Sequence, residues 1–295
     1  MRFAPSPTGF LHVGNAKTAL VNWLFVRREG GVFILRIEDT DVERYSPGAV
    51  EVIFESLKWL GMTWDEGPEV GGNYGPYFQS QRLDLYRERV ETLLDHGKVY
   101  ECFCTPEELE AEREKARREK RPPRYNGKCR DLTPAQIEAR ANDPHVIRFR
   151  VPEGKTVFTD LVYGETSFDN AEIGDFVLLK ASGAPTYHLA VVVDDVAMRI
   201  SHVIRGEGHL SNTPRHVLLY EAFGEPLPQF AHQPLTLGED GKPLSKRRGA
   251  PSVLQFRDEG FLPEAIVNYS TLLGWSPGDD REILSVGELI ELFTL

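Results

Sequence analysis

The sequence predicts an α/β protein, in which a nucleotide-binding parallel sheet is split by an α+β insertion and followed by helices. The first sign is the opening stretch Arg2-Phe-Ala-Pro-Ser-Pro-Thr-Gly-Phe-Leu-His-Val-Gly14. A short strand enters a loop punctuated by Pro5, Pro7 and Gly9, and His12-x-Gly14 leads into an uninterrupted helical pattern. A helix start of this kind offers free N–H groups and a positive dipole end to phosphate. The loop is neither GxGxxG nor GxxxxGK[ST], so the common dinucleotide and P-loop readings do not apply. A second sign is the set of short apolar, β-branched runs at residues 32–37, 189–195 and 200–205, which read as buried parallel strands. The third is a change of character over residues 83–186, read as an insertion between the two halves of the sheet.

Composition sets the bounds. The 295 residues suffice for two domains, and 41% apolar with 27% charged residues is ordinary for a globular protein. No apolar run approaches the ~18 residues that span a bilayer, and no basic-then-apolar leader opens the chain, so a cytoplasmic protein without a membrane partner is expected. The net charge of −11 gives no global signal for nucleic acid, which would have to bind a local basic surface.

Along the chain, Gly30-Gly31 should end the first helix, and the strand at 32–37 delivers Glu38, Asp39 and Asp41 to its C-terminal end, where open parallel sheets place ligand contacts. Ser46-Pro47 is expected to cap and open a helix whose stripe is Val50, Ile53, Leu57 and Leu60, with Gly61 as its stop. A further helix carries Leu85, Val90, Leu93 and Leu94. Thr105-Pro-Glu-Glu108 and Thr133-Pro-Ala-Gln136 are helix-starting capping boxes. Between them Arg113, Lys115, Arg117, Arg118, Lys120, Arg121, Arg124, Lys128 and Arg130 face only Glu114 and Glu119, a candidate phosphate-backbone footprint or equally a solvated face. Short strands around Phe149, Phe158 and Phe168 complete the insertion. Thr213-Pro214 opens a helix ending at Gly224, and helical segments follow near 252–259 and 263–273 and from Ser285.

All three cysteines, Cys102, Cys104 and Cys129, lie inside the insertion. An odd, clustered set argues against a disulfide framework, whereas Cys-x-Cys can offer two thiolates to one metal. Far downstream, Gly241-Lys-Pro-Leu-Ser-Lys-Arg-Arg-Gly249 is a basic loop suited to clamping a polyphosphate; Ser245, Lys246 and Arg247 are its candidate contacts.

These motifs in this order resemble the class I aminoacyl-tRNA synthetases. P-S-P-T-G-x-L-H-V-G and L-S-K-R resemble the HIGH and KMSKS signatures, and R-I-E-D-T-D from Arg36, P-T-Y-H-L-A-V-V-V-D-D from Pro185 and H-V-I-R-G-E-G-H-L-S-N-T-P-R from His202 narrow the likeness to the catalytic portion of bacterial glutamyl-tRNA synthetases. The resemblance covers the whole chain. It implies a Rossmann-like catalytic domain in halves 1–82 and 187–225, an acceptor-binding insertion at 83–186, and a stem-contact region at 226–295 that carries the KMSKS-like loop. An anticodon-binding region would follow, so a truncated chain, working as a monomer, is expected.

The implied reaction activates L-glutamate with ATP and Mg²⁺ and passes it to the acceptor end of tRNA(Glu). The resemblance assigns catalysis to His12 and Lys246, ATP binding to His12, Gly14, Ser245, Lys246 and Arg247, and glutamate binding to Arg2, Ser6, Glu38, Tyr187 and Arg205. It also suggests Tyr125 as the fourth ligand of a structural zinc held by Cys102, Cys104 and Cys129. The chain departs from the pattern at Pro243, where the first KMSKS lysine would stand, and at Asn15, in place of the last HIGH histidine. It departs also at Gly208, a position usually acidic in the family and implied to contact the adenosine ribose. Two alternatives stay open: a glutamyl-queuosine tRNA(Asp) synthetase, which is similarly short, and a non-catalytic tRNA-binding paralog. Asn212-Thr-Pro-Arg215 and the long 105–124 segment favour the glutamate–tRNA ligase reading over the first.

Overall fold

The structure, a computed structural model, describes residues 1–41, 46–235 and 251–295. Strand β1 (Arg2–Phe3) runs parallel to β2 (Ile34–Leu35), and helix α1 (Val13–Glu29) is the crossover between them. Gly30 ends α1 in the left-handed conformation at φ 64°, as the glycine pair predicts. Beyond β2 the chain stays laddered: Ile37 N–H donates to Tyr77 O at 2.8 Å and Glu38 N–H to Pro5 O at 3.0 Å, which fixes Glu38 against the first loop. Helix α2 (Ala49–Trp59) buries Val50, Ile53 and Leu57, with Leu60 just beyond its end. Its start differs from expectation. Gly48, left-handed at φ 76°, occupies the cap position, and Ser46 contributes its carbonyl to Ala49 N–H one turn earlier.

The insertion begins with α3 (Leu83–Asp95) and contains β3 (Val99–Cys102), α4 (Pro106–Arg118), α5 (Pro134–Glu138) and β4 (Val146–Phe149). Both predicted capping boxes form, at Thr105 with Glu108 and at Thr133 with Gln136. Next come the hairpin of β5 (Lys155–Asp160) and β6 (Gly164–Asp169), a short α6 (Asn170–Ile173), and β7 (Val177–Leu179). Strands β3, β4 and β7 make one antiparallel sheet.

Residues 189–195 are not a strand. They lie in α7 (Tyr187–Ala197), followed by β8 (His202–Gly206), α8 (Thr213–Phe223) and β9 (Gln229–Gln233). A continuous apolar run suits a buried helix as well as a buried strand, and here helical packing on α3 and α8 prevails. Strand β9 pairs in parallel with β8 and with β5, so the sheet order is β6-β5-β9-β8 and the insertion's hairpin is continuous with the second half-sheet. The closing helices α9 (Val253–Asp258), α10 (Pro263–Leu272) and α11 (Val286–Leu292) supply Val253, Val267 and Leu289 to the core around α1. No helix among the described residues is long and apolar enough to cross a membrane.

Candidate active site

A cavity of about 560 Å³ opens where β1, the end of β2, the start of α7 and the end of β8 meet. Arg2, Ser6, Glu38, Tyr187 and Arg205, brought from across more than 200 residues of sequence, all line it, together with Lys180, His209 and Asn212. Asn15 and Thr18 of α1 complete the wall beside His12.

His12 is the N-cap of α1, and its Nδ1 accepts from Asn15 N–H at 3.4 Å. That bond favours the tautomer with the proton on Nε2, the one able to donate outward. Gly14 is glycine for a local reason: a Cβ there would stand 3.2 Å from Cε1 and Nδ1 of the His12 ring. His12 also forms an antiparallel bridge with Ser252, and Val253 N–H donates to Leu11 O at 3.0 Å. The chain leaving the basic loop is thereby anchored beside the first signature motif. Ser245, Lys246 and Arg247, with Lys242 and Pro243, lie outside the described residues.

The two candidate arginines are held in opposite ways. Arg2 donates from Nε and Nη2 to the two oxygens of Asp195, both at 3.1 Å, so its charge is spent within the protein. Asp195 also receives Arg36 at 2.7 Å and stays below the usual carboxylate range; burial opposes this, but Arg2 and Arg36 outweigh it. Arg36 reaches Glu38 at 3.3 Å, and burial raises the Glu38 pKa despite that partner.

Arg205, by contrast, is buried at 6% exposure, and among the described residues no carboxylate lies within 4.0 Å of it. Its Nε–H donates to His232 Nε2 at 3.1 Å, Nη1 to Tyr187 Oη at 3.3 Å and His216 Nδ1 at 3.2 Å, and Nη2 to Thr213 Oγ1 at 2.8 Å. Burial lowers its pKa, in keeping with a desolvated cation lacking a direct counter-ion. Neighbouring imidazoles stay neutral: burial, then Arg215 and Arg205, lowers His188 to about 4, and burial with Arg205 puts His216 well below its ordinary value.

Sequence reasoning missed Asp160, Asp195, His216 and His232. Asp195 and His216 sit in or beside the quoted motifs, but their roles follow from α7 and α8 being adjacent helices, which the strand assignment concealed.

Away from the cavity, the Cys102, Cys104 and Cys129 sulfurs lie within 4.8 Å of one another. Tyr125 Oη is 3.4 Å from Cys102 Sγ and 3.8 Å from Cys104 Sγ. Tetrahedral zinc with ~2.3 Å bonds to sulfur sets its ligand atoms about 3.5–3.8 Å apart, so the donor set fits such an ion in number, softness and spacing. Burial and the nearby Cys102 and Cys129 push the Cys104 thiol up to about 12; Cys102 is lowered, burial being overcome by hydrogen bonds from Tyr125 and Cys104.

The basic segment is largely neutralised within the insertion. Arg113 and Arg117 share Glu110, Arg121 meets Glu119, Lys128 meets Glu108 and Arg130 meets Asp175.

The description "tRNA synthetases class I (E and Q), catalytic domain" matches residues 1–295 of this chain. The glutamate–tRNA ligase of Carboxydothermus hydrogenoformans is 56% identical over 299 residues, covering 100% of this chain and 62% of that protein. That of Sulfurihydrogenibium is 54% identical with the same coverage, so the chain spans about three fifths of these curated relatives. A crystal structure of a glutamate tRNA ligase from Elizabethkingia meningosepticum, in complex with its amino acid, superposes with a TM-score of 0.93 at 42% identity, over 99% of this chain and 64% of that one.

Proposed function

This chain belongs to the class I tRNA synthetases for glutamate and glutamine, and from that premise we propose that it is an ATP-dependent glutamate–tRNA ligase. The observation that carries the choice of amino acid is Arg205, a buried guanidinium facing the cavity with no direct carboxylate partner among the described residues. A side-chain carboxylate supplies the missing charge; a neutral amide does not. Tyr187 adds a hydroxyl beside it, while Glu38 and Ser6 face the α-ammonium end and Arg2 shapes the wall through Asp195.

The glutamate α-carboxylate attacks the α-phosphorus of MgATP and pyrophosphate leaves, giving glutamyl-adenylate. The terminal ribose hydroxyl of tRNA then takes the acyl group and releases AMP. Such chemistry depends on positioning and charge stabilisation rather than a covalent nucleophile. His12 donates from Nε2 toward the phosphates with the α1 terminus behind it, and Gly14 leaves room for the ring. Ser245, Lys246 and Arg247 of the second signature loop are assigned the remaining phosphate contacts. The anchoring of Ser252 on His12 supports that pairing.

The insertion holds the acceptor end of tRNA(Glu). There a structural zinc is held by Cys102, Cys104, Cys129 and Tyr125, tying the end of β3 to the loop before Cys129. The chain acts in the cytoplasm as a monomer. The names of the curated relatives favour this reading over a queuosine-modifying or non-catalytic paralog.

ATP–pyrophosphate exchange tests it, with glutamate, glutamine and no amino acid, in the presence of tRNA(Glu), tRNA(Asp) or neither. Exchange dependent on glutamate and supported by tRNA(Glu) is the expected result. Glutamine-driven exchange, or none under any condition, rejects the assignment.

A further inference from the structure

We propose that Asp160 and His232 are positioning residues, a carboxylate–imidazole relay that aims the Arg205 guanidinium into the cavity. The proposal rests on the reading of Arg205 as the carboxylate-binding group.

Three neighbouring strands build the relay. Arg205 on β8 and His232 on β9 are register partners, and Asp160 ends β5 opposite Phe230 of β9. His232 Nδ1 stands 2.6 Å from Asp160 Oδ2, and His232 Nε2 stands 3.1 Å from Arg205 Nε. All three side chains are buried. Asp160 cannot swing away, because its Oδ1 accepts the N–H groups of Val162 and Tyr163, each at 3.0 Å.

The protons follow from this geometry. A carboxylate only accepts, so His232 must carry its proton on Nδ1 and present a lone pair at Nε2. Only that tautomer can receive the Arg205 Nε–H. With Nε engaged behind it, Nη1 reaches Tyr187 Oη at the cavity wall, and Nη2 meets Thr213 Oγ1 and the His209 carbonyl. A carboxylate in direct contact would bind Arg205 as Asp195 binds Arg2; the interposed imidazole orients the guanidinium without occupying its charge.

Asp160→Asn tests the chain of protons at almost constant shape. The amide oxygen can keep the Val162 and Tyr163 N–H groups, and the amide nitrogen then donates to His232 Nδ1. His232 is driven to its other tautomer, whose Nε2–H opposes Arg205 Nε–H. In tRNA-supplemented ATP–pyrophosphate exchange, the KM for glutamate should rise roughly 10- to 100-fold, as for one buried donor left unmade. The KM for ATP should stay within about twofold, and the preference for glutamate over glutamine should fall. His232→Gln, a neutral donor–acceptor of similar reach, should retain glutamate recognition, and His232→Leu should lose it. ¹⁵N spectra of the histidines report the tautomer without any substrate. They should show Nδ1–H at His232 in the parent protein and Nε2–H in Asp160→Asn.

A glutamate KM within about threefold of the parent in folded Asp160→Asn overturns the relay. So does equal behaviour of the Gln and Leu variants, should Asp160→Asn fail to fold. Absence of glutamate-dependent exchange in the parent removes the functional reading instead, and the spectra still decide the relay: Nε2–H at His232 in the parent refutes it.

Discussion

Replacing Arg205 by Gln should uncouple amino-acid recognition from folding. The side-chain carboxylate of glutamate would enter a desolvated site without its cation, and losing one partner of a buried pair costs about 3–5 kcal/mol. At ~1.4 kcal/mol per factor of ten, kcat/KM for glutamate should fall roughly 10²- to 5 × 10³-fold. Glutamine, uncharged, should lose far less, so the ratio of the two substrates is the sharper measure. The empty protein should hardly notice, because Arg205 is held by neutral acceptors and leaves no contacting anion stranded among the described residues. A midpoint change equivalent to no more than about 1 kcal/mol is expected. Arg2→Gln should behave in the opposite way, since it removes a bidentate partner of buried Asp195 and leaves, among the described residues, Arg36 as its remaining cation. Its stability loss should reach roughly 3 kcal/mol. Exchange kinetics with both amino acids and thermal melts of the two variants suffice. Glutamate kcat/KM within tenfold of the parent for Arg205→Gln would refute the reasoning.

Gly14→Ala should leave the melting temperature unchanged or slightly higher, because alanine favours the helix by up to ~1 kcal/mol, while exchange activity drops about tenfold as the new Cβ turns the His12 ring; equal activity in steady-state exchange would contradict the packing argument. Zinc analysis of protein purified without chelator should find about one ion per chain bound by four ligands, and Cys102→Ser should lose it and loosen the insertion, as read by proteolysis. Metal-free protein with freely titrating thiols would reject the site. Stability should depend on pH through the buried histidines. With His188 lowered to about 4 and His216 well below its ordinary 6.5, the unfolded chain binds more protons between those values. Their contribution is therefore fully present above about pH 6.5 and is lost as pH falls toward 4. Melts that are flat from pH 7 to 5 would contradict this. Gly208→Glu restores an acidic side chain at a position where a Cβ meets nothing within 4 Å. It should leave stability unchanged and lower the KM for ATP, and an unchanged KM would remove Gly208 as a weakened contact.

The parts of the fold legible in sequence were those specified locally. The caps at Thr105 and Thr133, the glycine stops at Gly30, Gly61 and Gly224, and the stripe of α2 depend on a few adjacent residues. The run at 189–195 was not legible, because helix and strand place the same apolar residues in a buried environment and only tertiary neighbours distinguish them. The site divides along the same line. Arg2, Ser6, Glu38, Tyr187 and Arg205 carry motif signals, and the structure places them around one cavity. Their supports, Asp160, Asp195, His216 and His232, take their meaning from strand register and helix contacts that no local pattern encodes. The basic 113–130 segment shows the converse. Its composition signals a phosphate footprint, yet most of its described cations are already paired with acids two to forty-five residues away.

The relay also explains how a protein can keep a buried cation in readiness. Asp160 faces Arg205 only across an imidazole ring, with 2.6 Å on one side and 3.1 Å on the other. Two charges roughly 7 Å apart attract with about 2 kcal/mol at an effective dielectric constant near 20, against about 6 kcal/mol at 3 Å. The distant attraction offsets part of the cost of desolvating the guanidinium and lets the empty site fold. The remainder is available only to an anion that reaches contact distance. On this proposal a ligand carboxylate gains it and a carboxamide does not, so discrimination between glutamate and its neutral isostere would originate in the separation that His232 maintains.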